Sequence, residues 1–227
     1  MIALRLALAG ALGLAACTSP EEPERAERPT LAEAQPPNPA RPAAPDTFAL
    51  DIDARSVSQR PTAPVRIDGA CPFEGCQYGT WTTSGETVVY ETAGDTTSAA
   101  FSVPAGTELD APTGFVLVTR VGRSVAERPA EVFLSFEDRI PVAAGDTVLV
   151  LDYEGEGSYR VWHDGRIGFA SEVTPLDGLD LANTPFRSIV EPEQQWWARV
   201  TAPDGRAGWL WMDRTPSVTG ADALAAP

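Results

Sequence analysis

The chain has no lysine, one histidine (His163) and three cysteines among its 227 residues. Each scarcity excludes a kind of chemistry. With no Gly-x-Ser-x-Gly elbow, and with His163 followed by a turn residue, Asp164, that need not orient it, no nucleophile–base pair is legible, so the chain is read as a non-enzyme. A thiolate or imidazole metal centre lacks ligands, and no acidic run has the spacing of a calcium loop, so neither metal nor cofactor is expected. The 17 basic residues are all arginines, set against 32 acids for a net charge of −15, and they form no stripe. Nucleic acid and the flat surface of an anionic membrane are therefore poor partners, and the acid excess reads first as a solubility device. A helical period sustained over three turns is also missing, which turns attention to strands.

What is present begins at the N-terminus. Arg5 precedes an apolar stretch, Leu6 to Ala16, of signal-peptide length and too short to span a bilayer as a helix. It ends in Leu14-Ala15-Ala16-Cys17, which resembles the bacterial lipoprotein box. The resemblance implies cleavage after residue 16, lipidation of Cys17, and a membrane partner reached through that lipid. Thr18 is not the aspartate associated with inner-membrane retention in such lipoproteins, so the expected location is the outer membrane, facing the periplasm. From Thr18 to Asp46 follow eight prolines among alanines and charges. Residues 17–46 thus read as a disordered, extended linker, able to reach about 90 Å at about 3.1 Å per residue.

Two cysteines remain, Cys71 and Cys76. In an exported chain they are expected to form a disulfide across Pro72-Phe73-Glu74-Gly75, closing a ring that contributes about 2 kcal/mol in the chain-entropy picture. The alternative, half a metal site, needs further soft ligands.

Beyond Ala54, β-branched and aromatic runs alternate with turn residues, an all-β pattern. Strands are expected at 87–92, 99–103, 115–121, 132–136, 147–153, 158–162, 167–170, 196–201 and 208–212. Asp164-Gly165, Asp204-Gly205 and Gly155-Glu156-Gly157 supply the positive φ of tight hairpin turns. Val103-Pro104-Ala105-Gly106-Thr107-Glu108-Leu109 is echoed by Val142-Ala143-Ala144-Gly145-Asp146-Thr147-Val148, with Gly106 and Gly145 39 residues apart, a weak repeat signal.

The apolar-x-x-Gly-x-x-apolar turn, together with Trp197, Val200, Asp204-Gly205 and Gly208-Trp209, resembles the bacterial Src homology 3-like domains, small five-stranded barrels. The segment from Cys71 to Trp81, followed by Val88-Val89-Tyr90, looks like the start of such a module in secreted proteins with tandem copies. The resemblance covers roughly 70–216 and implies two small β-barrel modules, 66–128 and 132–216, the second interrupted by a long loop at 171–195 with at most a short helical turn near 176–181. Residues 217–227 are expected to be a flexible tail.

Binding is the activity this resemblance implies. The candidate ligand-binding residues are Trp162, Trp196, Trp197, Trp209 and Trp211. Alternation along a strand prevents Trp196 and Trp197 from both entering the core and puts Trp209 and Trp211 on one face. A tryptophan platform beside the acidic loop would suit a proline-rich or glycan-peptide ligand, although core packing also accounts for such residues. The expected function is a non-catalytic envelope lipoprotein that binds a cell-wall peptide or glycan (peptidoglycan) or a periplasmic protein. Carboxylates such as Glu154, Glu156, Asp177 and Asp180 are as abundant as the acidic composition requires, and a small hydrolase that uses carboxylates in a cleft between the modules, and a purely structural spacer, are the alternatives.

Overall fold

The computed structural model describes residues 47–51, 53–171, 173, 184–215 and 218–224. The leader at 1–16, Cys17, the linker at 17–46 and the short helical turn near 176–181 lie outside the described residues, so expectations placed there are not addressed by it.

The fold is all-β, with a curled, barrel-like sheet. In chain order the strands are β1 (Phe48–Asp51), β2 (Val65–Asp68), β3 (Gly79–Thr83), β4 (Thr87–Tyr90), β5 (Ala99–Val103), β6 (Glu108–Arg120), β7 (Gly122–Ala126), β8 (Ala130–Phe133), β9 (Arg139–Val142), β10 (Thr147–Gly155), β11 (Ser158–His163), β12 (Arg166–Ser171), β13 (Phe186–Val190), β14 (Glu193–Thr201), β15 (Ala207–Trp211) and β16 (Val218–Thr219). β1 to β6 and β14 to β16 form a nine-stranded sheet, and β7 to β13 a seven-stranded one.

The pairing order is the same in both. One sheet runs β16-β3-β6-β14-β15-β4-β5 and the other β13-β7-β10-β11-β12-β8-β9. The second set lies between β6 and β14 of the first, so the chain leaves one sheet at Val121, completes the other, and returns at Glu193. The sheets therefore divide the chain differently from the expected limits of 66–128 and 132–216: β14 pairs with β6 along Glu193–Thr201 and closes the first sheet. Sequence adjacency misleads here because an antiparallel pair needs only a complementary neighbour in space, and β14 finds its neighbour across some seventy residues of chain.

Other expectations are also corrected. The segment 171–195 is not all loop, since β13 pairs with β7. Within 217–227, β16 pairs with β3 and Ala221 is buried, so this stretch is not a free tail. The Asp204-Gly205 turn spans five residues, Ala202 to Arg206, closed by the Ala202 N–H donating to the Arg206 carbonyl at 2.8 Å. Asp164-Gly165 and Glu156-Gly157 are the two-residue turns, with positive φ at all four positions.

The echoed heptapeptides occupy equivalent turns, β5 to β6 and β9 to β10. In each the glycine has positive φ, 78° at Gly106 and 93° at Gly145. Its N–H donates at 2.7 Å to the end of the strand that pairs with the following one, the Thr83 carbonyl of β3 in one case and the Ala126 carbonyl of β7 in the other. A side chain that resists this backbone would lose the cap.

Three apolar clusters hold the fold. The first gathers Trp81, Leu109, Trp196, Val200 and Leu210 inside the larger sheet, and the second Val148, Val150, Tyr159, Val161 and Phe186 inside the smaller. The third joins the sheets: Leu50, Val65, Ile67, Val116 and Val118 pack against Leu151 and Ile167, with Trp162 at the margin. Contacts accordingly gather Ala43–Pro227 into one compact unit. Cys71 and Cys76 are a disulfide pair with Cα atoms 5.8 Å apart. Their loop is strapped by the C-terminal segment, where Ala223 N–H donates to the Gly75 carbonyl at 2.7 Å.

Candidate functional site

The β14–β15 hairpin carries four of the five candidate tryptophans, and alternation sorts them. Trp196 faces inward with Ala198, Val200 and Leu210 and is 4% exposed. Phe73 and Trp81 meet its ring edge-on, each at 5.6 Å, and its indole N–H donates to the Tyr78 hydroxyl at 3.1 Å. That hydroxyl in turn donates to the Ala70 carbonyl at 2.7 Å, and burial pushes its pKa up. Trp196 is thus a core residue and presents nothing to a ligand.

Trp197, Arg199, Trp209 and Trp211 project from the opposite face, in register with Phe115 on β6 and Tyr90 on β4. Trp211 lies flat on Trp197, ring centroids 5.6 Å apart and planes 12° from parallel, while Tyr90 abuts Trp197 edge-on at 5.9 Å. Covered in this way, Trp197 is 0% exposed and serves as the floor. Trp209 and Trp211 are half-buried and form the accessible surface. Asp213, in the 3-10 turn Met212–Arg214, accepts from both the Trp196 backbone N–H and the Trp211 indole N–H at 2.9 Å, which locks Trp211 in place.

Arginines overlie these rings. Arg66 sits 3.9 Å from the Phe115 centroid and is ion-paired with Asp68. Arg199 lies 5.6 Å from Trp209 and Arg214 5.5 Å from Trp211. Among the described residues neither Arg199 nor Arg214 has a carboxylate within ion-pair distance. The face thus carries three arginines and two carboxylates, Asp68 held by Arg66 and Asp213 by the Trp211 indole, while the acidic loop expected beside it, with Asp177 and Asp180, lies outside the described residues. Cation–π contact of this kind holds a guanidinium over a ring while leaving its N–H groups free to donate.

Trp162 is apart from this face. Its indole N–H donates to the Val57 carbonyl at 2.7 Å, and its ring borders the cluster joining the sheets, so it clamps the segment before β2 onto β11. His163 is half-buried, its Nδ1 3.3 Å from the Thr147 carbonyl, and flanks the Asp164-Gly165 turn.

The residues that sequence reasoning missed are Asp152 and Arg160. Arg160 is 1% exposed and Asp152 0%. Arg160 Nε donates to Asp152 Oδ1 at 3.0 Å and its Nη2 to Glu154, while Asp152 Oδ2 meets no partner. Burial above all, with Glu154 alongside, raises the Asp152 pKa well above the ordinary aspartate value despite the attraction of Arg160. A raised acid beside a second carboxylate has the chemistry of a proton donor, yet this one has no access to solvent. Among the described residues no group of His, Cys, Asp and Glu is arranged to hold a metal ion, and no helix is long and apolar enough to cross a membrane.

Two open clefts of about 610 and 600 Å³ contain none of the five tryptophans. The first lies where the chain passes between sheets, with Arg60, Arg120 and Arg123 in its lining. No known family model matches this chain, and no curated protein or solved structure matches it either.

Proposed function

We propose that this chain is a non-catalytic protein of the cell envelope, tethered by a lipid on Cys17 and held off the membrane by its proline-rich linker. Its two sheets are nested copies of a Src homology 3-like barrel, and the face carrying Trp209 and Trp211 binds a cell-wall peptide or glycan, or a periplasmic protein. One observation carries the binding reading: two half-buried indoles lie on one face of β15, Trp211 stacked on Trp197 and bonded to Asp213 and Trp209 edge-on to Phe115, with Arg199 and Arg214 over them and, among the described residues, no carboxylate ion-paired with either. Such a surface offers flat apolar area at low conformational cost together with directional donors, the composition of binding hot spots.

The shared pairing order of the sheets supports the nested-barrel reading, and the lipoprotein-box resemblance together with the Cys71–Cys76 pair supports the exported reading.

The test is co-sedimentation of the full chain with isolated cell-wall sacculi, and capture from a periplasmic extract, beside its Trp209→Ala and Trp211→Ala variants. Retention that drops at least about ten-fold in a variant of unchanged circular dichroism is the expected result, as for loss of an aromatic anchor. Retention indifferent to both substitutions, or turnover of a wall fragment by the purified chain, would remove the proposal.

A further inference from the structure

The hairpins β11–β12 and β14–β15 are copies of one another. Arg160-Val161 followed by Asp164-Gly165-Arg166-Ile167-Gly168-Phe169 matches Arg199-Val200 followed by Asp204-Gly205-Arg206-Ala207-Gly208-Trp209. In register Arg160 faces Phe169 and Arg199 faces Trp209, and each guanidinium lies 5.6 Å from its ring centroid. The aromatic neighbour on the next strand is Phe133 in one sheet and Tyr90 in the other.

The copies differ in what meets the arginine. Around Arg160 the adjacent strand β10 supplies Asp152 and Glu154, and both hydrogen-bond the guanidinium. Around Arg199 the adjacent strand β6 places Thr113 opposite, with Gly114 and Phe115 after it, and the nearest acid in that direction, Asp110, is in register with Thr201 and makes no ion pair with Arg199. Asp68, on the same face, is held by Arg66.

We infer that the Arg199–Trp209 face takes a carboxylate from outside the chain: its ligand is an acidic peptide segment whose carboxylate occupies the place that Asp152 and Glu154 hold against Arg160, with an aliphatic neighbour resting on Trp209 and Trp211. The molecule thus contains its own worked example of how this arginine–aromatic pair is completed. Two N–H groups of a guanidinium fit one carboxylate in parallel, a match that an amide or hydroxyl cannot reproduce. The second cation, Arg214 over Trp211, adds positive charge to the face, while the one carboxylate beside it, Asp213, is engaged by the Trp211 indole N–H. This inference rests on the binding role proposed above and specifies its ligand.

The experiment is a tryptophan-fluorescence titration of the full chain with two probe peptides, acetyl-Leu-Glu-Leu amide and its acetyl-Leu-Gln-Leu counterpart. The glutamate peptide should bind about ten-fold or more tightly than the glutamine one, a preference that shrinks at high salt. Arg199→Gln should abolish that preference while leaving the residual affinity for the glutamine peptide. Arg214→Gln should weaken the preference and stands in if the first variant does not fold. Equal affinity for the two peptides in the wild-type chain overturns the inference, as does a preference that survives both substitutions. If sacculi are still retained through Trp211 under either of those results, the binding role stands and only the carboxylate assignment falls. If neither peptide binds and sacculi are not retained, both fail together.

Discussion

Hairpins β11–β12 and β14–β15 share a sequence pattern, a register and an arginine-over-aromatic contact, and they end in opposite environments. The β11–β12 copy turns its arginine face toward β1, β2 and β6, where Leu151, Ile167 and Trp162 pack into the cluster joining the sheets. Its arginine is sealed in and needs two carboxylates. The β14–β15 copy turns the same face outward, keeps its arginine half-buried, and stacks indoles where its counterpart has Ser158 facing Ser171. One motif therefore serves as internal cement and as an open surface, and the difference lies in which neighbour covers it.

The sharpest way to break the comparison is to truncate both arginines. Arg160→Ala strands the fully buried Asp152 and removes the partner of the partly exposed Glu154, and should cost about 3–5 kcal/mol in chemical denaturation, whereas Arg199→Ala should cost less than about 1 kcal/mol. Similar losses at the two positions would refute the distinction between a buried and an open copy.

Glycines at equivalent positions sharpen it from the other side. A Cβ on Gly168 would stand 2.5 Å from the Phe133 carbonyl oxygen, and one on Gly208 would stand 2.7 Å from the Tyr90 carbonyl oxygen. Neither backbone group yields easily, so Gly168→Ala and Gly208→Ala should each destabilise by about 1–3 kcal/mol. Tolerance of alanine at one site alone, read as an unchanged melting temperature, would mean that the copies are not packed alike.

The smallest effect concerns pH. Burial lifts the Asp152 pKa above its unfolded value, so the native state holds that proton more tightly than the unfolded chain does. Stability from this group is fully present below the ordinary aspartate pKa and is lost as pH rises through the raised one, with a slope of at most about 1.4 kcal/mol per pH unit. Denaturation midpoints measured from neutral pH down to the aspartate range should rise for the wild-type chain relative to Asp152→Asn. Parallel curves would show that Asp152 ionises normally.

Much of this was readable without coordinates. Alternation alone puts Trp196 and Trp197 on opposite faces and Trp209 with Trp211, and the structure agrees, but the expectation that only one of Trp196 and Trp197 could be buried fails: they are 4% and 0% exposed, because the Trp211 and Tyr90 rings cover Trp197 on its own face. Strand 99–103 has the expected bounds, and the Gly106 and Gly145 echo marks equivalent turns. Strands of only four or five residues, such as β1, β9 and β13, escaped because runs so short carry too little alternation of their own and are defined by the partner they pair with. Asp152 and Arg160 escaped for a related reason. Charged residues in a strand read as solvent-facing until another sheet is laid over them. The Asp-Gly-Arg-x-Gly-aromatic repeat at 164–169 and 204–209 was the available signal for the duplicated hairpin and the arginine that precedes it.

By itself, then, the sequence determined the local grammar: strands, glycine turns, facing residues and a cysteine pair, all of them set within a few residues by φ preference, alternation and reach. Which strand closes which sheet, which arginine is buried, and which tryptophans remain accessible were decided only by the tertiary structure. Those outcomes depend on long-range pairing of β6 with β14 and on one sheet covering the other, and burial is a property of the neighbour as much as of the residue.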